Sequence, residues 1–238
     1  MAEVVIESRR DPRSGSIIHT LDMDGKPETR EYSKVCAGLA WPSPTSPACY
    51  VMLGMESPPQ GTRFQGVIPQ QPKLIVLAER TVDSIFLGDV VDVLADDVIR
   101  LGCGSVFAEI DVDDQGSFID KRSILFRELL HKSGCPASLQ RAPHTETARE
   151  RRGESLQILL SLVKLYLTRG ELVLPEESIA RHQLKTASLA DLEGHEEAEA
   201  RLYGARALGY AVAACHRSGW YPLAGYRPKR GHRLRKTR

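Results

Sequence analysis

The amino-acid sequence predicts an α/β fold, with a mixed sheet flanked by helices. Short apolar runs, typical of buried strands, alternate along the chain with longer segments whose apolar residues recur every three or four positions. Of the 238 residues, 42% are hydrophobic, so the chain can bury a sizeable core. Only 6% are aromatic, which predicts a core that is mainly aliphatic.

Three apolar runs predict the main strands of the sheet. They cover residues 48–55, 73–79 and 105–111. A continuous apolar run of this length indicates a strand that is buried on both faces. Residues 64–68 are a candidate hairpin partner for the second run, and residues 171–175 form a further short extended segment. The central sheet is therefore expected between residue 48 and residue 175.

Helical periodicity follows these strands in several places. Residues 83–100, 119–132 and 156–167 show apolar positions at helical spacing, and Gly102 is suited to end the first of these helices. Residues 176–192 are predicted to be helical in part. The strongest periodicity lies in residues 196–217, at Ala198, Leu202, Ala205, Leu208 and Val212.

The chain divides into three predicted parts. Residues 1–46 read as a strand-bearing arm or hairpin, with short strands near residues 4–6 and 16–18. A proline-rich joint over residues 41–47 then leads into a main domain at 47–226, because consecutive prolines disfavour helix. Residues 227–238 form a basic C-terminal tail.

The charge of the chain is unevenly distributed. The tail holds seven Lys or Arg and no acid, whereas the rest of the chain has 25 basic against 31 acidic residues, a net charge of about −6. Such tails are typical of arms that bind nucleic acid, although a solvated tail without a partner is the alternative. No apolar run is long enough to span a bilayer and no signal-like segment opens the chain, so we expect a soluble cytoplasmic protein. Five widely spaced cysteines without a CxxC pair are expected to remain reduced.

Several catalytic classes lack their motifs in this sequence. There is no GxxxxGK[ST] phosphate loop, no GxGxxG after a strand and no GxSxG elbow. A zinc-binding HExxH motif is also absent, since no histidine lies four residues after His195. The sequence therefore excludes ATPase machinery.

Acidic residues at strand ends and at one helix start are the remaining candidates for chemistry. Glu56 follows the first apolar strand, Asp111 and Asp113 follow a later one, and Glu196 and Glu197 open the last helix directly after His195. Carboxylates from separate elements are the oxygen ligands that Mg²⁺ and Mn²⁺ prefer. Solvated turn residues and acids that favour the helix dipole are the alternative interpretation.

These same residues carry a resemblance to a known family. Residues 50–222 resemble the C-terminal nuclease domain of phage large terminase subunits, which belongs to the RNase H-like, or RuvC-like, nucleases. The matching features are an acid closing an apolar strand (Glu56), a second acid before a glycine-containing loop (Asp111), and a His-acid-acid start to an alanine-rich helix (residues 195–197). Glu stands at the first and last of these positions, where the family usually has Asp, and the ATPase half of the family is absent.

The resemblance implies an RNase H-like mixed sheet and a metal-dependent DNA endonuclease that cleaves phosphodiesters during viral DNA packaging in the host cytoplasm. Its partners would be double-stranded DNA and a separate packaging ATPase or portal protein, and its cofactor Mg²⁺ or Mn²⁺. The implied metal ligands are Glu56, Asp111, Asp113 and Glu197, with Glu196 as the alternative ligand and His195 assisting proton transfer. The residues expected to contact DNA are Arg149, Arg151, Arg152, Arg227, Lys229, Arg230, Arg233, Arg235 and Lys236.

A non-catalytic nucleic-acid-binding or viral assembly protein on the same fold is the second hypothesis, because a fold does not fix a function. The two hypotheses make different demands on the positions of the acidic side chains. A metal centre needs the predicted carboxylates to converge within a few ångströms, whereas a binding protein does not.

Overall fold

The computed structural model describes residues 4–23, 26–56, 72–113, 115–143, 152–187 and 200–217. The strands within these ranges are β1 Val4–Arg10, β2 Ile17–Met23, β3 Lys26–Ala40, β4 Ala48–Glu56, β5 Leu74–Val82, β6 Ser105–Ala108, β7 Ser138–Arg141 and β8 Leu172–Val173. The helices are α1 Leu87–Leu101, α2 Lys121–Lys132, α3 Arg152–Thr168, α4 Ile179–Thr186 and α5 Tyr203–Arg217. The strand predicted at residues 64–68 lies outside the described residues.

All eight strands join one mixed sheet. Strands β1 to β5 form an antiparallel succession, each pairing with the next along the chain. Strand β6 then pairs in parallel with the second half of β3, β7 pairs in parallel with β6, and β8 pairs in parallel with the start of β5. The α/β class and the mixed central sheet flanked by helices are confirmed.

Strand β3 lies at the centre of this sheet, although the sequence places it in an arm that precedes the main domain. Its first half pairs with β2, and its second half lies between β4 and β6. The proline-rich joint is a tight turn from β3 to β4, in which Ser43 and Ser46 form an isolated bridge. The division at residue 46 therefore falls inside the sheet, so residues 26–40 belong to the same core as residues 48–56.

Two hydrophobic layers cover the two faces of the sheet. Alternate side chains of β3, such as Val35 and Leu39, pack with α1 and α2, and the intervening ones, such as Cys36 and Ala40, pack with α3 and α5. Helix α1 buries Val90, Leu94, Val98 and Leu101 toward its layer and is followed by Gly102 at φ 67°. A positive φ suits glycine, as the sequence predicts for the end of this helix.

The predicted helices are found, with shifted ends. Helix α1 begins at Leu87 rather than residue 83, and the last helix is described from Tyr203. Helix α4 begins after Ser178, whose side chain accepts a hydrogen bond from the Arg181 N–H. The carboxylate of Glu79 in β5 accepts hydrogen bonds from the N–H groups of Ile179 and Ala180, the first two residues of the helix. None of the helices described is long and apolar enough to cross a membrane.

Candidate functional site

Strands β3 and β6 are parallel, so their carboxyl-terminal ends lie side by side at the same end of the strands. We call this end of the sheet, where the two strands finish, the carboxyl edge. The residue after β3 is Trp41 and the residue after β6 is Glu109. The indole Nε1 of Trp41 donates a hydrogen bond of 2.6 Å to the Glu109 carbonyl oxygen. Phe126 of α2 packs edge-on against the indole, with ring centroids 5.1 Å apart. These contacts fix the two strand ends and α2 relative to one another.

An ion pair occupies the side of this edge that faces α5. Phe107 packs in the α5 layer, and the two-residue period of a strand directs Glu109 to the same side. There, Nη2 of Arg206 donates to Oε2 of Glu109 at 2.9 Å and also to the Tyr210 hydroxyl at 3.2 Å. The Glu109 and Arg206 side chains are only 18% and 15% exposed, so the pair is largely shielded from solvent.

The position of α5 on the sheet explains why this ion pair forms. Gly38 of β3 lies against the helix backbone, and a Cβ at this position would be 2.0 Å from the Ala207 carbonyl oxygen. Glycine therefore allows α5 to approach the sheet more closely than any other residue would. Since Arg206 is next to Ala207, this close approach brings its guanidinium within reach of Glu109.

A second guanidinium, that of Arg122, lies over the Trp41 ring. The guanidinium carbon of Arg122 is 4.8 Å from the ring centroid, in a cation–π contact. Burial lowers the pKa of Arg122 and the nearby Asp120 and Glu109 carboxylates oppose that shift, but an arginine keeps its charge. Among the described residues, no carboxylate lies within ion-pair distance of the Arg122 guanidinium, although Asp120, Glu109 and Asp111 are close enough to attract it.

The acidic loop after β6 is held mainly by its own hydrogen bonds. Asp120 caps α2 by accepting from the Ser123 N–H at 2.8 Å, and it also accepts from the Asp111 N–H at 3.3 Å. Asp113 accepts from the N–H groups of Gln115 and Ser117 at 2.9 and 2.8 Å. Asp113 is therefore occupied in shaping the loop. The Asp111 carboxylate makes no hydrogen bond to the described residues.

Glu56 lies at the opposite edge of the sheet from Asp111. Strand β4 runs antiparallel to β3, so its last residue pairs with Tyr32, whereas Ala108 at the end of β6 pairs with Leu39. Seven residues of β3 separate these two pairing positions, which corresponds to roughly 20 Å. The expectation that Glu56 joins Asp111 and Asp113 in one cluster is wrong for this geometric reason.

The described residues include no group of three or more His, Cys, Asp and Glu side chains that could hold a metal ion. Of the carboxylates near the carboxyl edge, Glu109 is paired with Arg206, and Asp113 and Asp120 accept backbone hydrogen bonds.

The remaining predicted site residues lie outside the described ranges or lack a described side chain. His195, Glu196 and Glu197 fall between α4 and α5, and Arg149 and Arg151 precede α3. Arg152 is the first residue of α3, and its side chain is not described. The tail residues Arg227, Lys229, Arg230, Arg233, Arg235 and Lys236 also lie outside. Their predicted roles stay predictions.

Sequence reasoning missed the residues that do meet at the carboxyl edge. Two signals were available for the ion pair: Glu109 is an acid inside an apolar strand run, and Arg206 is a lone cation within an alanine-rich helical stripe, at helical spacing from the buried Leu202 and Gly209. Because charged side chains are rarely buried without a partner, an acid and a cation on two buried faces are expected to pair with each other. No sequence pattern indicates the contact of Arg122 with Trp41, because it depends on how the β3 end meets α2.

No protein-family model and no curated protein matches the chain. Among solved structures, the chain is similar to the large terminase nuclease from thermophilic phage G20c. In its magnesium-bound form the TM-score is 0.49 and the identity 11%, over 89% of this chain and 87% of that one. For the cobalt-bound form the TM-score is 0.46 and the identity 12%, over the same shares of the two chains, 89% and 87%.

The chain is also similar to RuvC of Thermus thermophilus, with a TM-score of 0.37 and 14% identity over 77% of this chain and 95% of that one. Identities this low concern the fold alone. The described residues have the predicted α/β architecture, a mixed sheet flanked by helices.

Proposed function

We propose that this chain is a non-catalytic nucleic-acid-binding protein built on a nuclease-type fold. The observation that carries the proposal is the ion pair of Glu109 and Arg206 at the carboxyl edge. A hard divalent cation needs several anionic oxygen ligands, and here the carboxylate facing α5 is already neutralised. A guanidinium 4 Å from a divalent cation would repel it by about 8 kcal/mol at an effective dielectric constant of 20. The pair thus disfavours a metal at this point.

Helix α2 supplies a basic surface beside this edge. It carries Lys121, Arg122, Arg127 and Lys132 against a single acid, Glu128. Arg122 and Arg127 lie over the rings of Trp41 and Phe118, respectively. Stacking uses the flat face of a guanidinium and leaves its N–H edge free for phosphate oxygens. Together with the basic tail, this surface suits contacts to a nucleic-acid backbone rather than base-specific recognition.

Binding of the full chain to double-stranded DNA at several salt concentrations tests this proposal. We expect the logarithm of the affinity to fall linearly with the logarithm of the salt concentration, with a slope of about −0.9 for each phosphate contact. Removing residues 227–238 should flatten the slope by several units. Arg122→Gln should flatten it by about one unit, whereas Arg13→Gln, in the turn between β1 and β2, should leave it unchanged. Absence of binding by the full chain at low salt would overturn the proposal.

A metal-dependent endonuclease acting in DNA packaging is the second candidate, favoured by one observation: the Asp111 carboxylate lies just beyond the carboxyl edge without a described hydrogen-bond partner. In this candidate, Asp111 and either Glu197 or Glu196 would bind Mg²⁺ or Mn²⁺, with His195 nearby. A plasmid-nicking assay with Mn²⁺ and with EDTA separates the candidates. Cleavage that EDTA abolishes, and that one of the variants Glu197→Ala and Glu196→Ala loses while the other retains it, would establish the endonuclease and refute the non-catalytic proposal.

A further inference from the structure

Two buried cysteines from distant parts of the chain lie side by side. Cys36 is in the central strand β3 and Cys215 is in the last turn of α5, and their sulfur atoms are 3.4 Å apart. The exposed fractions of the two residues are 0% and 3%. The close approach of α5 to Gly38, two residues along β3 from Cys36, holds the two elements at this separation.

The surroundings of the pair distinguish its two sulfur atoms. The hydrogen bond between the two sulfur atoms lowers the pKa of Cys36 against the opposing effect of burial, and the nearby Lys34 ammonium lowers it further. The same hydrogen bond and burial raise the pKa of Cys215. Lys34 is fixed there, since its Nζ donates to the Ala214 carbonyl oxygen at 3.1 Å. Cys36 is thus the better thiolate of the two, which suits it to the intramolecular displacement, whereas Cys215 at the helix end is the sulfur that an external disulfide can reach.

We propose that Cys36 and Cys215 form a redox-active dithiol, which a low-molecular-weight disulfide oxidises to an intramolecular disulfide. In the first step, the Cys215 sulfur attacks the small disulfide, forms a mixed disulfide and releases one small thiol. In the second step, the Cys36 thiolate attacks the Cys215 sulfur and displaces the second small thiol. Two protein thiols lose two electrons in total, the small disulfide gains them, and both thiol protons end on the released thiols.

The geometry allows this bond with little rearrangement. The two sulfur atoms must close from 3.4 Å to the 2.05 Å of a disulfide, a change that side-chain rotation or a small shift of the helix end can supply. Access for the oxidant comes through Cys215, because helix ends open locally more readily than helix centres. The bond would join the central strand to α5 and close a loop that contains most of the chain. Because it would restrict the unfolded chain, it should raise the melting temperature by about 5–10 °C.

The test uses the full chain, first reduced and then incubated in its folded state with oxidised glutathione. Remaining thiols are alkylated, and the protein is digested without reduction for peptide mass mapping. We expect a linked peptide pair containing Cys36 and Cys215 in the parent and in the control Cys103→Ala, which removes another buried thiol. In Cys36→Ala, the linked pair should be absent and glutathione should stay on Cys215.

Two results would overturn the proposal. The first is that the folded parent protein yields no linked pair of Cys36 and Cys215 peptides, although both cysteines react with oxidised glutathione when the chain is unfolded in urea. The other is a folded-state link between a different pair of cysteines. If Cys36→Ala does not fold, the parent and Cys103→Ala decide the question by themselves. The proposal does not depend on nucleic-acid binding.

Discussion

The two faces of the central sheet are held by different kinds of contact. On the α5 face, small residues predominate, and the backbone of the helix lies against the backbone of β3 at Gly38. The α1 and α2 face contains large side chains together with buried polar groups such as Asp97 and His19. One face is therefore set by backbone approach, and the other by side-chain packing and hydrogen bonds.

This difference has a consequence for the functional elements. The Glu109–Arg206 ion pair and the Cys36–Cys215 pair both connect the sheet to α5. Their short distances exist because a glycine permits a separation that no side chain allows. On the opposite face, rearranged side chains can compensate for a change in volume, so we expect substitutions there to be tolerated better.

Gly38→Ala is expected to produce the largest effect. The added Cβ would lie 2.0 Å from the Ala207 carbonyl oxygen and 2.7 Å from the Ala211 nitrogen, and both are backbone atoms that cannot rotate away. Displacing α5 should lower the free energy of unfolding by roughly 3–5 kcal/mol, at the upper end for a single overpacking change. Urea denaturation followed by circular dichroism measures it.

Gly88→Ala is the matched control, because nothing lies within 4 Å of a Cβ at this position in α1. Alanine favours helix over glycine, so the control should be neutral or stabilising by up to about 1 kcal/mol. Equal losses of stability in the two variants would contradict the distinction between the two faces.

Asp97→Asn should have the next largest effect, and it acts on the α1 face. The Asp97 side chain accepts a hydrogen bond of 2.8 Å from the Tyr50 hydroxyl and pairs with Arg100 and Arg80. Burial raises the pKa of this carboxyl, but the bonds from Arg100 and Tyr50 outweigh it and hold the pKa below its ordinary value. Loss of the charge should lower the free energy of unfolding by about 2 kcal/mol at pH 7.

The pH dependence of that effect has a definite sign. Because the folded-state pKa of Asp97 is depressed, its stabilisation is present above the unfolded-state pKa, near 3.8, and is lost as the pH falls through the folded-state pKa. Parent and Asp97→Asn should therefore converge in stability as the pH falls below 3.8 and through the lower folded-state pKa. A difference that stays constant throughout the acid range would show that the carboxylate charge does not matter.

Helices and strands whose apolar residues follow a regular pattern can be predicted from the sequence, whereas those without such a pattern cannot. Strand β4 and helices α1 and α2 follow continuous or helical apolar patterns. Strand β3 begins with alternating charged residues and ends with the small residues Ala37, Gly38 and Ala40, which match neither pattern well. Four-residue β7 is too short and polar to be recognised.

The missed strand also explains the wrong position of Glu56. If the sheet begins at β4, an acid at the end of β4 is expected at the functional edge. Because β3 precedes β4 and runs antiparallel to it, the end of β4 lies at the far edge instead. A strand-end acid predicts a site only when the direction of its strand is known, and that direction depends on long-range pairing.

A double-mutant cycle at Glu109 and Arg206 should show a smaller effect on the α5 face. Each side chain is less than one-fifth exposed, so removing either charge leaves the other partly buried without its partner. We expect Glu109→Gln and Arg206→Gln each to cost about 1–2 kcal/mol, and the double variant to cost less than their sum by about 1 kcal/mol. Additive losses in urea denaturation would mean that the two charges do not stabilise each other.

Substitution of His19 should have the smallest effect on stability, and this effect should depend on pH. Its ring is fully buried against Tyr32, with centroids 5.0 Å apart, and its Nε2 lies 2.9 Å from the Leu101 carbonyl oxygen, the geometry of a donated hydrogen bond. Burial lowers the pKa of His19, the hydrogen bond opposes this, and the positive charge of Arg100 adds to the lowering. The folded state therefore holds the ring neutral, while the unfolded chain takes up a proton near pH 6.5.

This difference in proton uptake should make the fold less stable as the pH falls below about 6.5, until the folded-state pKa is reached. Between pH 7 and pH 5.5 we expect the parent to lose up to about 1 kcal/mol that His19→Gln does not lose, a limit set by the proton uptake of the unfolded chain. His182→Gln, at an exposed position of α4, should follow the parent across this range. Thermal and urea denaturation at four pH values would measure the difference. If His19→Gln and the parent lose the same amount, the ring is protonated as readily in the folded state as in the unfolded chain, and polar groups on this face are less shielded than their burial implies.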